Sequence, residues 1–224
     1  EAKGVWVWDV DHNKYLDMMS AYSAVSHGHA HPELVKVFHE QSNTLSLTSR
    51  AFYTNTLGPY LETITKMTGF EMALPMNSGA EAVETAIKAA RRWAYRSKKI
   101  EKDKAEIIVA DGNFHGRTTT IISFSSESNS KDDFGPHTPG FISVEFGNSQ
   151  AVEDAITKNT AAVLFEPIQG EGGIIEPPEN WLPDIREICD KNNVLMILDE
   201  VQSGLGRTGK LFAYEHANIR PDGL

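Results

Sequence analysis

The stretch LMILDEVQSGLGRTG, residues 195–209, decides how this chain is read. Apolar residues run from Val194 to Leu198 and stop at two acids, Asp199 and Glu200; Gly204, Gly206, Arg207 and Gly209 follow. An unbroken apolar run of this length fits a strand buried on both faces, as in a parallel sheet covered by helices. A carboxylate at the end of such a strand needs a reason, because a buried charge without partners is costly. In open α/β sheets, ligands bind just beyond the carboxyl ends of the strands.

Working outward, the same pattern recurs. Helical spacing is expected over 80–97, with Val83, Ala86, Ile87, Ala90 and Ala94 on one face. A strand is expected at 106–110, then the segment 119–123 and a loop. Phe141 to Phe146 and 161–165 follow as strands, with helices near 149–158 and 182–191. Strands and helices alternate, so the fold class is α/β, with a mostly parallel sheet flanked by helices. Upstream, GVWVWDVDHNKYLDM (4–18) alternates around an Asp-His-Asn turn and reads as a β-hairpin. A mixed, loop-rich stretch leads to a helix at 59–68 closed by Gly69. The expected organisation is a small N-terminal segment, 1–58, and a large α/β domain, 59–224.

Composition narrows the function. The 224 residues are 40% hydrophobic, ordinary for a globular protein, and the formal net charge is −10. A diffuse negative charge argues against nucleic acid or an anionic membrane as partner. No apolar run approaches the roughly 20 residues that span a bilayer, and no secretory signal is visible. The chain opens at Glu1 rather than Met, so an upstream segment is expected. The one cysteine, Cys189, excludes an intrachain disulfide and points to a reducing, intracellular compartment, cytoplasm or mitochondrial matrix. It lies in a helix-like run without a neighbouring base and is read as a buried thiol.

Three segments fall at the carboxyl ends of expected strands: 111–117, 166–173 and 199–209. Each sets polar or charged residues beside glycines that let a ligand approach the backbone. Asn77-Ser78-Gly79-Ala80 enters a helix, where free N–H groups make a ready phosphate site; Ser78 with Glu81 also reads as a capping box, and the two readings are compatible. Asp199 is either a structural acid or an anion that keeps a cationic ring nitrogen protonated in a dry pocket. Phe114-His115-Gly116-Arg117 combines a flat ring for stacking with a guanidinium suited to a carboxylate. His115 by itself reads as a packing residue. His27-Gly28-His29-Ala30-His31 lacks metal-ligand spacing and precedes Pro32, so it reads as a turn feeding a helix. The 194–200 run also suits the metal-binding strand of a P-loop ATPase, but no GxxxxGK[ST] loop accompanies it. A non-catalytic α/β ligand-binding module is the remaining non-enzyme reading.

Taken together, LDEVQSGLGRTG, MNSGAEAVETAIKAAR (76–91), NFHGRT (113–118) and FEPIQGEGG (165–173) resemble the class III pyridoxal-phosphate aminotransferases, in that family's order and spacing. SAYSAVSHGHAHP (20–32) and LTSRAFY (47–53) are most similar to its ornithine-using branch. The resemblance implies a pyridoxal-phosphate transferase of fold type I, a homodimer, and transfer of the side-chain amino group of L-ornithine to 2-oxoglutarate. N-acetylornithine and 4-aminobutyrate are the alternative donors. It implies that Ser78, Gly79 and Ala80 hold the cofactor phosphate. Phe114 and Val201 flank the ring, with His115 nearby, Asp199 pairs with the pyridine nitrogen, and Gln202 reaches the phenolic oxygen. Arg117 would bind a substrate carboxylate and Tyr22 would shape the pocket. Glu171 would act as a switch toward a C-terminal arginine, and Glu166 would support the same wall. The lysine that tethers the cofactor in the family follows the Arg-Pro-Asp segment and is not among these residues. The chain is therefore expected to be a fragment of a longer enzyme, unable to transaminate by itself; turnover of ornithine by the 224-residue piece would refute that.

Overall fold

Successive side chains on the inner strands leave the sheet in opposite directions, and both sets are buried. In the computed structural model, which describes residues 1–49 and 51–224, the chain divides by internal contacts into Glu1–Pro75 and Met76–Leu224. The sequence expectation set its boundary at 58.

Among the described residues, the second unit holds a sheet of four parallel strands. They are β4 (Glu106–Ala110), β5 (Phe141–Val144), β6 (Thr160–Phe165) and β7 (Leu195–Leu198), in the order β5-β4-β6-β7. Ile108, Ala110, Val163, Phe165, Met196 and Leu198 point to one face, where they pack with Trp181, Ile185 and Val152. Ile107, Val109, Ala162, Leu164 and Ile197 point to the other, against Val83, Ile87 and Ala90. Two helices, Ser149–Ala155 and Trp181–Asn192, cover the first face, and Gly79–Trp93 covers the second. A sheet covered on both sides has no solvent face, which is why its strands lack polar alternation.

The parallel α/β arrangement expected from the apolar runs is present, with local differences. The helix expected to reach 97 is α-helical only to Trp93 and widens into a π-helical turn, Ala94–Lys98. Lys98 Nζ then donates to the carbonyls of Thr160 (2.7 Å) and Asn192 (3.1 Å). Segment 119–123 forms a short helix, Thr119–Ile122, with Ile121 and Ile122 buried.

In the first unit, β1 (Ala2–Lys3), β2 (Trp6–Trp8) and β3 (Lys14–Leu16) form an antiparallel sheet. Its hairpin is closed by the Asp9 carboxylate, which accepts from the Asp11 and Asn13 N–H groups and from the Tyr15 hydroxyl. These donors, the Asn13 side chain first, hold Asp9 below the usual carboxylate range. Residues Ser20, Ala21, Tyr22 and Ser23 all take positive φ (52°, 47°, 56° and 70°). Left-handed backbone costs about 1–2 kcal/mol per non-glycine residue, so this turn needs support. Asp17 provides it: Oδ1 accepts from the N–H groups of Met19 and Ser20, and Oδ2 faces His29 Nε2 at 2.7 Å. His31 and Pro32 then lead into the helix Pro32–Thr44, the turn-to-helix reading of that segment.

Cys189 is fully buried under the sheet, and burial pushes its thiol up to about 12. Because the thiolate is the nucleophile, Cys189 is expected to resist a thiol reagent at mildly alkaline pH. It should be modified once the protein is unfolded in urea. Fast labelling of the native protein, followed by mass spectrometry, would contradict this placement.

Candidate functional site

Because β4, β6 and β7 run parallel, their carboxyl ends share one edge, and the three loops that leave them converge there. The loop after β4 is pinned from below by Asn113, whose side-chain amide donates to the carbonyls of Ala110 (2.6 Å) and Phe124 (3.2 Å). Gln169, only 2% exposed, reaches across from the loop after β6 and donates to the Asp111 carbonyl. Glu166 makes the second tie: its carboxylate accepts from the N–H of Phe114 (3.0 Å) and of Gly170 (3.2 Å). Burial is the main cause that raises the Glu166 pKa, against the opposing effect of those two N–H groups. Glu166 thus holds two loops together by its backbone contacts.

The third loop carries Asp199. Its side chain is 7% exposed, and its two oxygens are fully directed. Oδ2 accepts from His115 Nδ1 at 2.8 Å, and Oδ1 accepts from the Val201 N–H at 3.0 Å. A carboxylate opposite Nδ1 places the imidazole proton on that nitrogen. His115 Nε2 is buried without a hydrogen-bond partner among the described residues. His115, read from sequence as a packing residue, also lies against Phe124, 6.0 Å between ring centroids.

Facing these loops is the start of the helix Gly79–Trp93. Ser78 caps it by accepting from the Glu81 N–H (3.2 Å), and the Glu81 carboxylate accepts from the Asn77 N–H (2.7 Å). The Ser78 half of the capping box is therefore formed, while the return bond goes to the residue before the cap. This arrangement leaves the Gly79 and Ala80 N–H groups at positions that no helical carbonyl serves. Close approach explains two glycines. A Cβ on Gly79 would lie 3.1 Å from Val201, and one on Gly116 (φ 121°) would lie 2.8 Å from Ala80 Cβ.

Between these parts lies a cleft of about 220 Å³. Gly79, Ala80, Phe114, His115, Asp199, Val201, Gln202 and Glu166 all line it, as do Gly116 of the Phe114–Arg117 motif and Ile168 and Ser203, which sequence reading did not single out. Ile168 and Ser203 carry no chemical signature in the sequence; only convergence of the loops selects them. Val201 is 69% exposed and offers an apolar surface at the rim. Gln202 donates through Nε2 to Glu171 Oε1 at 2.9 Å, so two residues expected to have separate roles are bonded to each other. Arg117 is exposed, with its guanidinium carbon 5.4 Å from the Phe114 ring centroid. Tyr22 belongs to the first unit, at 66% exposure on the left-handed turn. Among the described residues, no group of three or more His, Cys, Asp or Glu is placed to hold a metal ion, and no helix is long and apolar enough to cross a membrane.

Comparison with known proteins places this arrangement. The chain matches the aminotransferase class-III family over residues 1–224. It is 57% identical, over 222 residues, to a Staphylococcus saprophyticus protein named ornithine aminotransferase 2, a match that covers 99% of this chain and 56% of that protein. The chain thus spans little more than half the length of the curated relatives it matches. Among solved structures, an ornithine aminotransferase from Toxoplasma gondii superposes with a TM-score of 0.98 at 42% identity, covering 99% of this chain and 53% of that one. An acetylornithine aminotransferase from Elizabethkingia anophelis superposes with a TM-score of 0.86 at 52% identity, covering 99% and 54%. The fold is that of the class-III aminotransferases, as the α/β pattern and the four sequence stretches led one to expect.

Proposed function

This chain belongs to the class-III aminotransferase family, and we propose that it forms the pyridoxal-phosphate-binding part of an ornithine aminotransferase. The observation that carries the reading is Asp199. It is a buried carboxylate, oriented by two donors, on the wall of a cleft that also holds a helix N-terminus. Such a cleft suits a flat, cationic ring with a phosphate at one end. The orphaned backbone donors at Gly79 and Ala80 match the phosphate. The space that a Gly116 side chain would fill leaves room for the loop to close against the helix.

In this reading Ser78, Gly79 and Ala80 hold the phosphate, Phe114 and Val201 press on the two ring faces, and Asp199 keeps the ring nitrogen protonated. Gln202 would exchange its bond to Glu171 for the phenolic oxygen. When bound, pyridoxal phosphate supplies an electron sink for a carbon attached to the transferred nitrogen. His115 fixes the Asp199 carboxylate and shields it from water. Glu166 keeps the Phe114 loop against the 166–173 loop. Arg117 binds a carboxylate of the substrate, and Glu171 serves as the switch residue.

The substrates are L-ornithine, as donor of its side-chain amino group, and 2-oxoglutarate as acceptor; the products are glutamate semialdehyde and glutamate. The names of the relatives near 57% identity support that choice. N-acetylornithine is the second reading, favoured by the 52% identity to the Elizabethkingia structure. The working unit is a homodimer in the cytoplasm or mitochondrial matrix, with residues 1–58 as a small-domain segment and 59–224 as the cofactor domain.

The test uses the intact protein. Its visible cofactor absorption is recorded, L-ornithine is added without a keto acid, and the cyclic product is trapped with 2-aminobenzaldehyde. Loss of the band with a trapped adduct is the expected result. A band that responds only to N-acetylornithine or 4-aminobutyrate would overturn the substrate, and no band after added cofactor would overturn the function.

A further inference from the structure

Two acids end β7, and the proposed chemistry uses only one. Asp199 faces the cleft, whereas Glu200 turns the other way and is 8% exposed. Its carboxylate is not idle. Oε2 accepts from Ser203 Oγ (2.6 Å) and from the Ala213 N–H (2.9 Å), and Oε1 accepts from the Tyr214 N–H (2.9 Å). The Glu200 carbonyl also accepts from the Gly204 N–H (2.8 Å), in a turn so tight that a Cβ on Gly204 would strike that carbonyl.

What Glu200 grips is buried. Phe212 and Tyr214 are each 7% exposed, lie in the same apolar cluster as Met196 and Leu198, and stack with an interplanar angle of 7°. What it carries is not. Val201 is largely exposed, its methyls approaching Gly79, and Gln202 is half-buried between Gly170 and exposed Glu171. These limited contacts leave the backbone that carries the two residues to the hydrogen bonds of Glu200.

We propose that Glu200 is a positioning residue of the site. By clamping the start of the 199–211 loop to the buried Phe212–Tyr214 segment, it sets where Asp199, Val201 and Gln202 stand. The inference rests on the cofactor reading above for its consequence, but its geometry is independent of it.

Glu200→Gln tests it in the intact protein. A glutamine presents one acceptor oxygen, so its NH₂ must oppose one of the two backbone donors. The expected result is a rise of about tenfold in Kd for pyridoxal phosphate, equivalent to one opposed buried hydrogen bond. Two further readouts should move with it: faster amide exchange across 199–203 in the cofactor-free protein, and a displaced pH profile of the visible cofactor band. Ser203→Ala keeps the carboxylate and removes one of its three donors, with an expected rise of about two- to threefold; it serves if Glu200→Gln does not fold. Val152→Ala, buried in the core away from the cleft, is the control that lowers Tm without changing Kd or exchange at 199–203.

Unchanged exchange and Kd in Glu200→Gln would overturn the proposal. So would an equal loss of affinity in Val152→Ala at matched Tm, which would reduce Glu200 to general stability. If the unsubstituted protein binds no pyridoxal phosphate, the functional reading falls, and the exchange measurement still decides the role of Glu200.

Discussion

Under the proposed function, Asp199→Asn in the intact protein is expected to lower kcat/KM for L-ornithine by about 10²- to 10³-fold, the range for removing a fixed charge from a dry site. The substitution is isosteric, so packing is preserved. The amide oxygen can still accept from the Val201 N–H, which now bonds Oδ1 at 3.0 Å. The side-chain NH₂ must then face His115 Nδ1, where the carboxylate oxygen now sits at 2.8 Å. Two donors would oppose each other unless the imidazole moves its proton to Nε2. That nitrogen is buried without a partner among the described residues, so the shift leaves a donor unsatisfied. The charge that would keep a ring nitrogen protonated is lost at the same time. Steady-state kinetics with and without excess cofactor separate weak binding from slow turnover. Activity within a few-fold of the unsubstituted protein would remove Asp199 from the chemistry.

Trp181→Ala is expected to destabilise the protein by about 3–5 kcal/mol, as for other large-to-small substitutions in a packed core. Trp181 is 1% exposed at the start of Trp181–Asn192, with ring centroids 4.7 Å from Phe146 and 5.0 Å from Phe165. It joins the helix to β6, directly below the residue that leads to Glu166. Its indole Nε1 has no hydrogen-bond partner among the described residues. Trp181→Phe should therefore be milder than its lost volume suggests, because it removes an unpaired buried donor along with the larger ring. Urea titration followed by circular dichroism checks both, read as a shift in midpoint at constant slope. A Trp181→Ala midpoint near that of the unsubstituted protein would mean that the interior relaxes around the loss.

Much of this architecture could be read from local sequence. The runs at 106–110, 161–165 and 194–198 became β4, β6 and β7 because a strand covered on both faces disfavours polar residues past its first position. Ser78 caps the helix through the Glu81 N–H because the two lie three residues apart, a distance the helix itself sets. Asp199 stood out because a charge directly after a buried strand falls at the sheet edge where ligands bind.

What sequence alone did not decide depends on contacts between distant residues. Asp199 and Glu200 are adjacent acids, equivalent on paper; the strand's alternation sends one to the cleft and the other to Ala213 and Tyr214. His115 reads as packing until the fold brings it, from 84 residues away, to the Asp199 carboxylate. Glu166 was expected to support the wall of the site; only the fold supplies the Phe114 and Gly170 N–H groups from which its oxygens accept. The amino-acid order thus determined the strands, the helix cap and the edge at which a site forms, since each follows from spacing along the chain. Only the tertiary structure decided which buried carboxylate meets which donor, because a hydrogen bond requires its atoms within about 3 Å, and only the folded sheet brings these loops that close.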